Sequence, residues 1–419
     1  MAALDKPAVV LDCGTGFIKM GLAGDEAPRF VEPTVVGYHG AGTGTSGLRG
    51  GAKAAAAADP LADLDYSIGS AALANAAGSA LTYPMRGGVI SDFDSWEKVM
   101  HAAIYKYLRV FPEDHAFILT EPPLNSPENR EYTAEIMFET FDVPALHIGV
   151  QAVLALYASW AAAERQPQQD RGGLLTGVVV DSGDGCTHVI PVVDGFVIGS
   201  SIRSVPLAGR DVTQHVQQLL RERGAPVPPD QSLEAARRIK EQFCYVCADP
   251  AKEAEKLGAD PAKYTRRFEG VGRTGTPFAV DVLRERFLGP ELFFQPQLYT
   301  GGHSDWRTPL PEVIDACVQS CPIDCRRALY RNISLSGGTT MLKHFGARIQ
   351  RDLKQAVDAR TSGGVEVNVV SHPMQRYAVW FGGSLLGCSA GFNDIVVTRE
   401  QYMESGPGIM RGNCVYREW

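Results

Sequence analysis

"VVLDCGTGFIKMGLAG" (residues 9–24) places an acid, a glycine turn and a lysine in one short span. Ala8–Leu11 reads as a buried strand that stops at Asp12. Phe17–Leu22 reads as the strand that returns after the turn. "GVVVDSGDGCTHVI" (177–190) repeats the pattern. There the strand Leu175–Val180 breaks at Ser182–Gly185, and His188–Val192 follows. Asp12 and Asp181 stand 169 residues apart, each after aliphatic, mostly β-branched residues. This spacing predicts a duplicated domain with a site in the cleft between the copies.

Glycine lets a ligand approach the main chain, and successive amides in a turn form an anion nest. "DCGTG" and "DSGDG" are therefore suited to grip a polyphosphate from opposite sides. Thr15 adds a hydroxyl donor. Lys19 neutralises phosphate charge if its strand passes beneath the loop. Two carboxylates repel bare phosphate, so Asp12 and Asp181 make sense around a hydrated divalent ion. Magnesium keeps several waters and uses carboxylates with phosphates. One such turn alone would be an ordinary Asp-Gly turn; two matched copies argue for a ligand.

Gln151, at the start of a buried helix, and His188 are candidates to place a water. Hydrolysis of a terminal phosphate needs chiefly an oriented water and charge stabilisation. Helix-start hydrogen bonding and a satisfied structural histidine are the simpler alternatives. "SGGTTM" (336–341) also has paired glycines after a strand and suits a flat base or ribose. Lys240 and Glu241 can reach a ribose or base edge; the alternative is an exposed charged pair. Neither GxxxxGK[ST] nor a GxGxxG opening a helix is present, and "GTGTSG" (42–47) lacks the following lysine. Cys244 and Cys247 form a lone CxxC, short of zinc's four ligands. Pro322 interrupts the Cys317, Cys321 and Cys325 series, so these read as core thiols.

Around these motifs strands and helices alternate, which predicts α/β layers. Expected helices are Asp94–Leu108, one opened by Pro127, Gln151–Trp160, Gly209–Arg223, Leu233–Tyr245, Leu342–Ala359 and Tyr377–Ser389. Expected strands include Ala116–Thr120, Leu146–Val150, Phe196–Ile202, Ile333–Leu335 and Val365–Val370. Most of residues 37–62 reads as an exposed, mobile loop, 163–173 as a polar loop, and 248–275 as peripheral. The chain has 419 residues, 45% of them hydrophobic, enough to bury two cores. Net charge is −8 and spread out, so nucleic acid is not an expected partner. Nine dilute cysteines and no signal sequence point to a reducing cytosol. No apolar run is long enough for a membrane span.

Taken in order, "LDCGTGFIKMGLAGDEAPRF", "NREYTAEIMFETFDVP", "QAVLALYASW", "DSGDGCTHVIPV", "LAGRDVT" and "LSGGTTM" resemble the actin superfamily across nearly the whole chain. "FCYVCADP", "ERFLGPELFFQP", "SCPIDCRRALYRNISLSGG" and "SHPMQRYAVWFGGS" resemble the actin-related branch of it. The resemblance implies an actin-like ATPase fold: duplicated ribonuclease H-like domains, with four subdomains around a nucleotide cleft. Its subdomain 1 would comprise 1–32, 84–158 and 378–419; subdomain 2, 33–83; subdomain 3, 159–207 and 302–377; subdomain 4, 208–301.

The resemblance further implies ATP and Mg2+, with Ca2+ replacing it in preparations. Asp12, Gly14, Thr15, Gly16 and Lys19 match the first phosphate loop; Asp181, Gly183, Asp184 and Gly185 match the second. Asp12 and Asp181 match the acids holding the metal's water shell, and Gln151 and His188 the residues placing the attacking water. Lys240, Glu241, Gly337, Gly338, Thr339 and Met341 match residues beside the adenosine. Arg376 stands where actin has a lysine, and Tyr377 fits the same wall. Residues 37–62 match a filament-contact loop but are Gly/Ala-rich, and "GNCVYREW" departs from actin's ending.

The role implied is regulatory: a slow ATPase nucleating branched filaments in the cytoplasm. Its partners would be actin-related protein 2, the other subunits of the branching complex, actin filaments and monomers, and nucleation-promoting factors. A conventional filament-forming actin and a small-molecule kinase of the same fold are the alternatives.

Overall fold

A computed structural model describes residues 6–39, 65–75, 79–164, 175–272, 275–299, 305–361 and 363–412. Two units emerge, 1–154 with 379–419 and 155–378.

In the first unit a six-stranded sheet runs in the order Val397–Thr398, Ala145–Val150, Phe117–Glu121, Val9–Cys13, Phe17–Leu22, Phe30–Pro33. Val9–Cys13 is antiparallel to Phe17–Leu22 and parallel to Phe117–Glu121. All five residues of Val9–Cys13 are buried, as expected of a central strand of aliphatic residues. The strand does not stop at Asp12: it carries Asp12 and Cys13 within the ladder. Trp380 closes one face, its indole N–H donating to the Val10 carbonyl at 3.0 Å.

The second unit holds a sheet ordered Phe196–Val197, Thr187–Val193, Gly177–Ser182, Ile333–Ser336, Val369–Val370. Arg203–Val205 also pairs with Thr187–Val193. Gly177–Ser182 is antiparallel to Thr187–Val193 and parallel to Ile333–Ser336. Each sheet thus has an antiparallel hairpin whose first strand meets a parallel strand, itself beside another parallel strand. The repeat expected from the two glycine turns is present in the strand order.

Each sheet has its own apolar core. In the first unit Trp96, Val99, Ile104, Met137 and Phe138 cover the sheet. In the second, Val212, Val216, Ile239, Leu329 and Ile349 belong to one buried apolar cluster. Helix starts follow local chemistry. Asp92 accepts from the Ser95 N–H at 3.1 Å, and Ser126 caps the helix that Pro127 opens. The turn Asp194–Gly195 has positive φ at both residues, 54° and 85°, which an Asp-Gly pair tolerates.

Several expected bounds shift. Phe93–His101 is α-helical and then widens into a π-helix over Ala102–Leu108. Phe196–Val197 is the whole of its strand, because a 3-10 turn follows at Gly199–Ser201. Only Val369–Val370 pairs in the 365–370 run. Residues 37–39 lie in the strand Val36–His39, not a loop: Gly37 and Tyr38 pair with both neighbours and His39 with Ser79. The rest of 37–62, residues 165–173 and 413–419 lie outside the described residues. The helix Pro250–Ala259 buries nothing, as a peripheral segment should, but the next strand buries Phe268. No helix among the described residues is long and apolar enough to cross a membrane.

Candidate functional site

In the first unit the hairpin register sets Asp12 opposite Lys19. The Gly14 N–H donates to the Phe17 carbonyl at 3.0 Å and closes the turn. A Cβ on Gly14 would lie 2.8 Å from that carbonyl oxygen, so the turn needs glycine. Asp12 is only 2% exposed. Lys19 Nζ lies 2.5 Å from its Oδ2, and the Thr120 hydroxyl donates to its Oδ1 at 2.7 Å. Gln151 Nε2 reaches Asp12 Oδ1 at 3.5 Å and Thr120 Oγ1 at 3.4 Å. A buried carboxylate is tolerated when it is paired and hydrogen-bonded, and Asp12 is both.

Thr15 is expected as a donor; in the structure its oxygen accepts the Gly88 N–H at 2.8 Å. Thr34 donates to the carbonyls of Gly14 (2.8 Å) and Gly16 (3.0 Å). The turn's carbonyls are thereby held on one side. Burial, and then the charge of Asp12, pushes the Cys13 thiol up to about 12. Cys13 is a buried core thiol.

In the second unit Asp181 stands opposite His188 and beside Ser336. The Gly183 N–H donates to the Cys186 carbonyl at 3.2 Å. The Gly183 carbonyl accepts from the Gly209 N–H (3.0 Å) and the Thr339 hydroxyl (2.7 Å). The Asp184 carbonyl accepts from the Arg210 N–H at 2.9 Å, and its carboxylate pairs with the Arg210 side chain at 3.2 Å. Lys240 Nζ donates to the Gly209 carbonyl at 2.9 Å. Burial lowers the Lys240 pKa, against the pull of Asp184 and Glu241. Burial also lowers that of His188, against the Asp181 charge.

Gly337 has φ 91°, and a Cβ there would stand 2.3 Å from the Ser182 carbonyl oxygen. By contrast, a Cβ on Gly183 or Gly338 would meet nothing within 4 Å. These two glycines face open space. The Gly337 N–H donates to the Gln375 carbonyl at 3.1 Å, and Gln375 Nε2 donates to the Thr340 carbonyl (3.0 Å) and hydroxyl (2.7 Å). "SGGTTM" and "MQRY" are thus tied together. Arg376 lies over the Tyr377 ring, 5.4 Å from its centroid, and Met341 is half exposed. Glu241 is exposed and pairs with Arg237 at 3.0 Å.

The first unit therefore gathers Asp12, Gly14, Lys19 and Gln151. The second gathers Asp181, His188, Gly183, Asp184, Lys240, Gly337 and Thr339. Thr120, Thr34, Gly209 and Arg210 support these clusters and escaped sequence reasoning. Thr120 had one signal, a polar residue closing the apolar run "FILT". Gly209 and Arg210 had another, the helix start "AGRD" with an acid in its first turn.

A family profile described as actin matches residues 3–238 and 230–415. The chain is similar to the actin-related protein 3 of Dictyostelium discoideum, 51% identical over 98% of this chain and 97% of the relative. It is also similar to those of Drosophila melanogaster, 50% over 98% of both chains, and Acanthamoeba castellanii, 52% over 98% and 97%.

Proposed function

The chain belongs to the actin family, and from that premise we propose that it binds Mg-ATP and serves as the actin-related protein 3 subunit of a filament-branching complex. Its partner subunits would be actin-related protein 2 and the remaining members of the complex, in the cytoplasmic actin cytoskeleton. Nucleation-promoting factors would activate it, with actin monomers and filaments as the material it joins.

The observation that carries this reading is the repeated hairpin. Each copy presents an acid at the end of a buried strand and a glycine turn beyond it. The amides of Gly14, Thr15 and Gly16, and those of Gly183, Asp184 and Gly185, would hold the phosphates. Lys19 offsets their charge. Lys240, Glu241, Gly337, Gly338, Thr339, Met341, Arg376 and Tyr377 form the adenosine side.

The residues fit a hydrated metal better than a bare one. Both oxygens of Asp12 already accept hydrogen bonds, and no cluster of three His, Cys, Asp or Glu side chains occurs among the described residues. Asp12 and Asp181 would hold magnesium through its waters. Magnesium, when bound, neutralises phosphate charge. Gln151 and His188 would orient the attacking water, and slow hydrolysis would time the release of branches. ATP biases the complex only by binding the active arrangement more tightly.

The test is purification of the native assembly, mass analysis of its members and an actin polymerisation assay with an activator. Recovery with actin-related protein 2 in a fixed assembly that nucleates filaments is expected. A monomer, a homopolymer of this chain, or phosphoryl transfer to a small acceptor would overturn the reading.

A further inference from the structure

Two helices of the first unit lose α geometry part-way along. Phe93–His101 passes into a π-helix at Ala102–Leu108, and Pro127–Glu135 into one at Ile136–Thr140. Such segments widen a helix and recur at functional positions. The helices run side by side: Phe93 meets Tyr132 with ring centroids 5.5 Å apart, and Tyr105 meets Phe141 at 6.4 Å. A shallow groove of about 290 Å³ opens where the second one widens, lined by Phe93, Tyr132, Glu135, Ile136, Glu139 and Thr140.

The floor is apolar. Phe93 and Ile136 pack on the core from beneath, and Tyr132 is 55% exposed. The rim is acidic. Glu128, Glu131, Glu135 and Glu139 follow one another at three- and four-residue steps, which lines them along one side of the helix. Glu131 pairs with Arg411, and Glu139 accepts the Tyr402 hydroxyl. Among the described residues Glu135 has no cation at ion-pair distance. Arg130, the one base of this helix, is buried against Glu121 and lends the rim no exposed positive charge.

An apolar floor alone would take any apolar segment; the rim selects. It repels an acidic peptide or an anionic membrane, and it attracts lysine and arginine at the edges of an apolar stripe. Tyr132 and Ile136, four residues apart, present a seat spaced for residues one helical turn apart. We infer that this groove docks an amphipathic helical segment of a partner protein, its apolar stripe on Tyr132 and Ile136 and its flanking lysines or arginines on Glu135 and Glu139. The inference does not depend on nucleotide binding.

The probe is a fluorescein-labelled helical peptide of leucine and lysine, with a leucine–glutamate peptide of the same stripe as control. Anisotropy is read against the full chain in its native complex. The basic peptide should bind and the acidic one should not. Glu135→Lys should weaken binding at least about tenfold, while Glu269→Lys, an equal charge change at a remote exposed site, should leave it unaltered. Tyr132→Ser should also weaken it. Unchanged melting temperatures would show that both variants fold. No binding, equal binding of both peptides, or equal effects of Glu135→Lys and Glu269→Lys would each overturn the inference.

Discussion

The two glycine turns share a sequence pattern but are held by different means. In the first, buried side-chain charge is added to the backbone bonds of the turn: Asp12 is buried against Lys19, Thr120 and Gln151. In the second, the main chain does the holding: the Gly183 and Asp184 carbonyls take N–H groups from the helix start at Gly209 and Arg210, and Thr339 adds a hydroxyl. The repeated motif thus shares its strand pairing while its supports differ. Apart from Gly14, which its own turn requires, the first turn should therefore be sensitive to changes of charge, and the second to added atoms at Gly337.

The sharpest test of that contrast is a pair of neighbouring substitutions. Gly337→Ala forces a side chain onto a positive φ and into the Ser182 carbonyl. A loss of about 3 kcal/mol in urea denaturation is expected. Gly338→Ala meets nothing within 4 Å and should cost well under about 1 kcal/mol. Equal losses would mean that the second turn is not shaped by close backbone approach.

Asp12→Asn keeps the volume but leaves the Lys19 ammonium without its partner carboxylate. A loss of about 2 kcal/mol is expected, below the figure for a fully buried pair because Lys19 retains some solvent. Mg-ATP affinity should fall with it. If stability and affinity both survive, the first turn is not held by charge. Thr339→Val, which removes one of the bonds to Gly183, should cost about 1 kcal/mol. A larger loss would make the hydroxyl, not the backbone, the main support of the second turn.

Gln151→Ala should cost under about 1 kcal/mol of folding, because its hydrogen bonds are long. Phosphate release should nonetheless slow more than ATP affinity changes. An unaltered release rate would remove Gln151 from the chemistry.

Much of this was legible in the sequence because strand and turn signals are local. Phe17–Leu22 matches its expected bounds, and the Asp194–Gly195 turn and the paired acids stand where their residue types demand. The helices that widen at Ala102 and Ile136 were not legible, since their apolar spacing looks α-helical and only packing sets the extra residue per turn. Thr120 and Gly209 were missed for a related reason. Each acts through a strand or turn distant in sequence, and no local pattern encodes such a partner.

The central claim is that the glycine turns hold nucleotide phosphates, and Gly183 separates fold from ligand. A Cβ there would meet no protein atom within 4 Å, yet a side chain would fill the space assigned to phosphate. Mg-ATP titration calorimetry of Gly183→Val should show binding at least about tenfold weaker, or about 1.4 kcal/mol, with an unchanged melting temperature of the nucleotide-free protein. Undiminished affinity in a folded Gly183→Val protein would contradict the account.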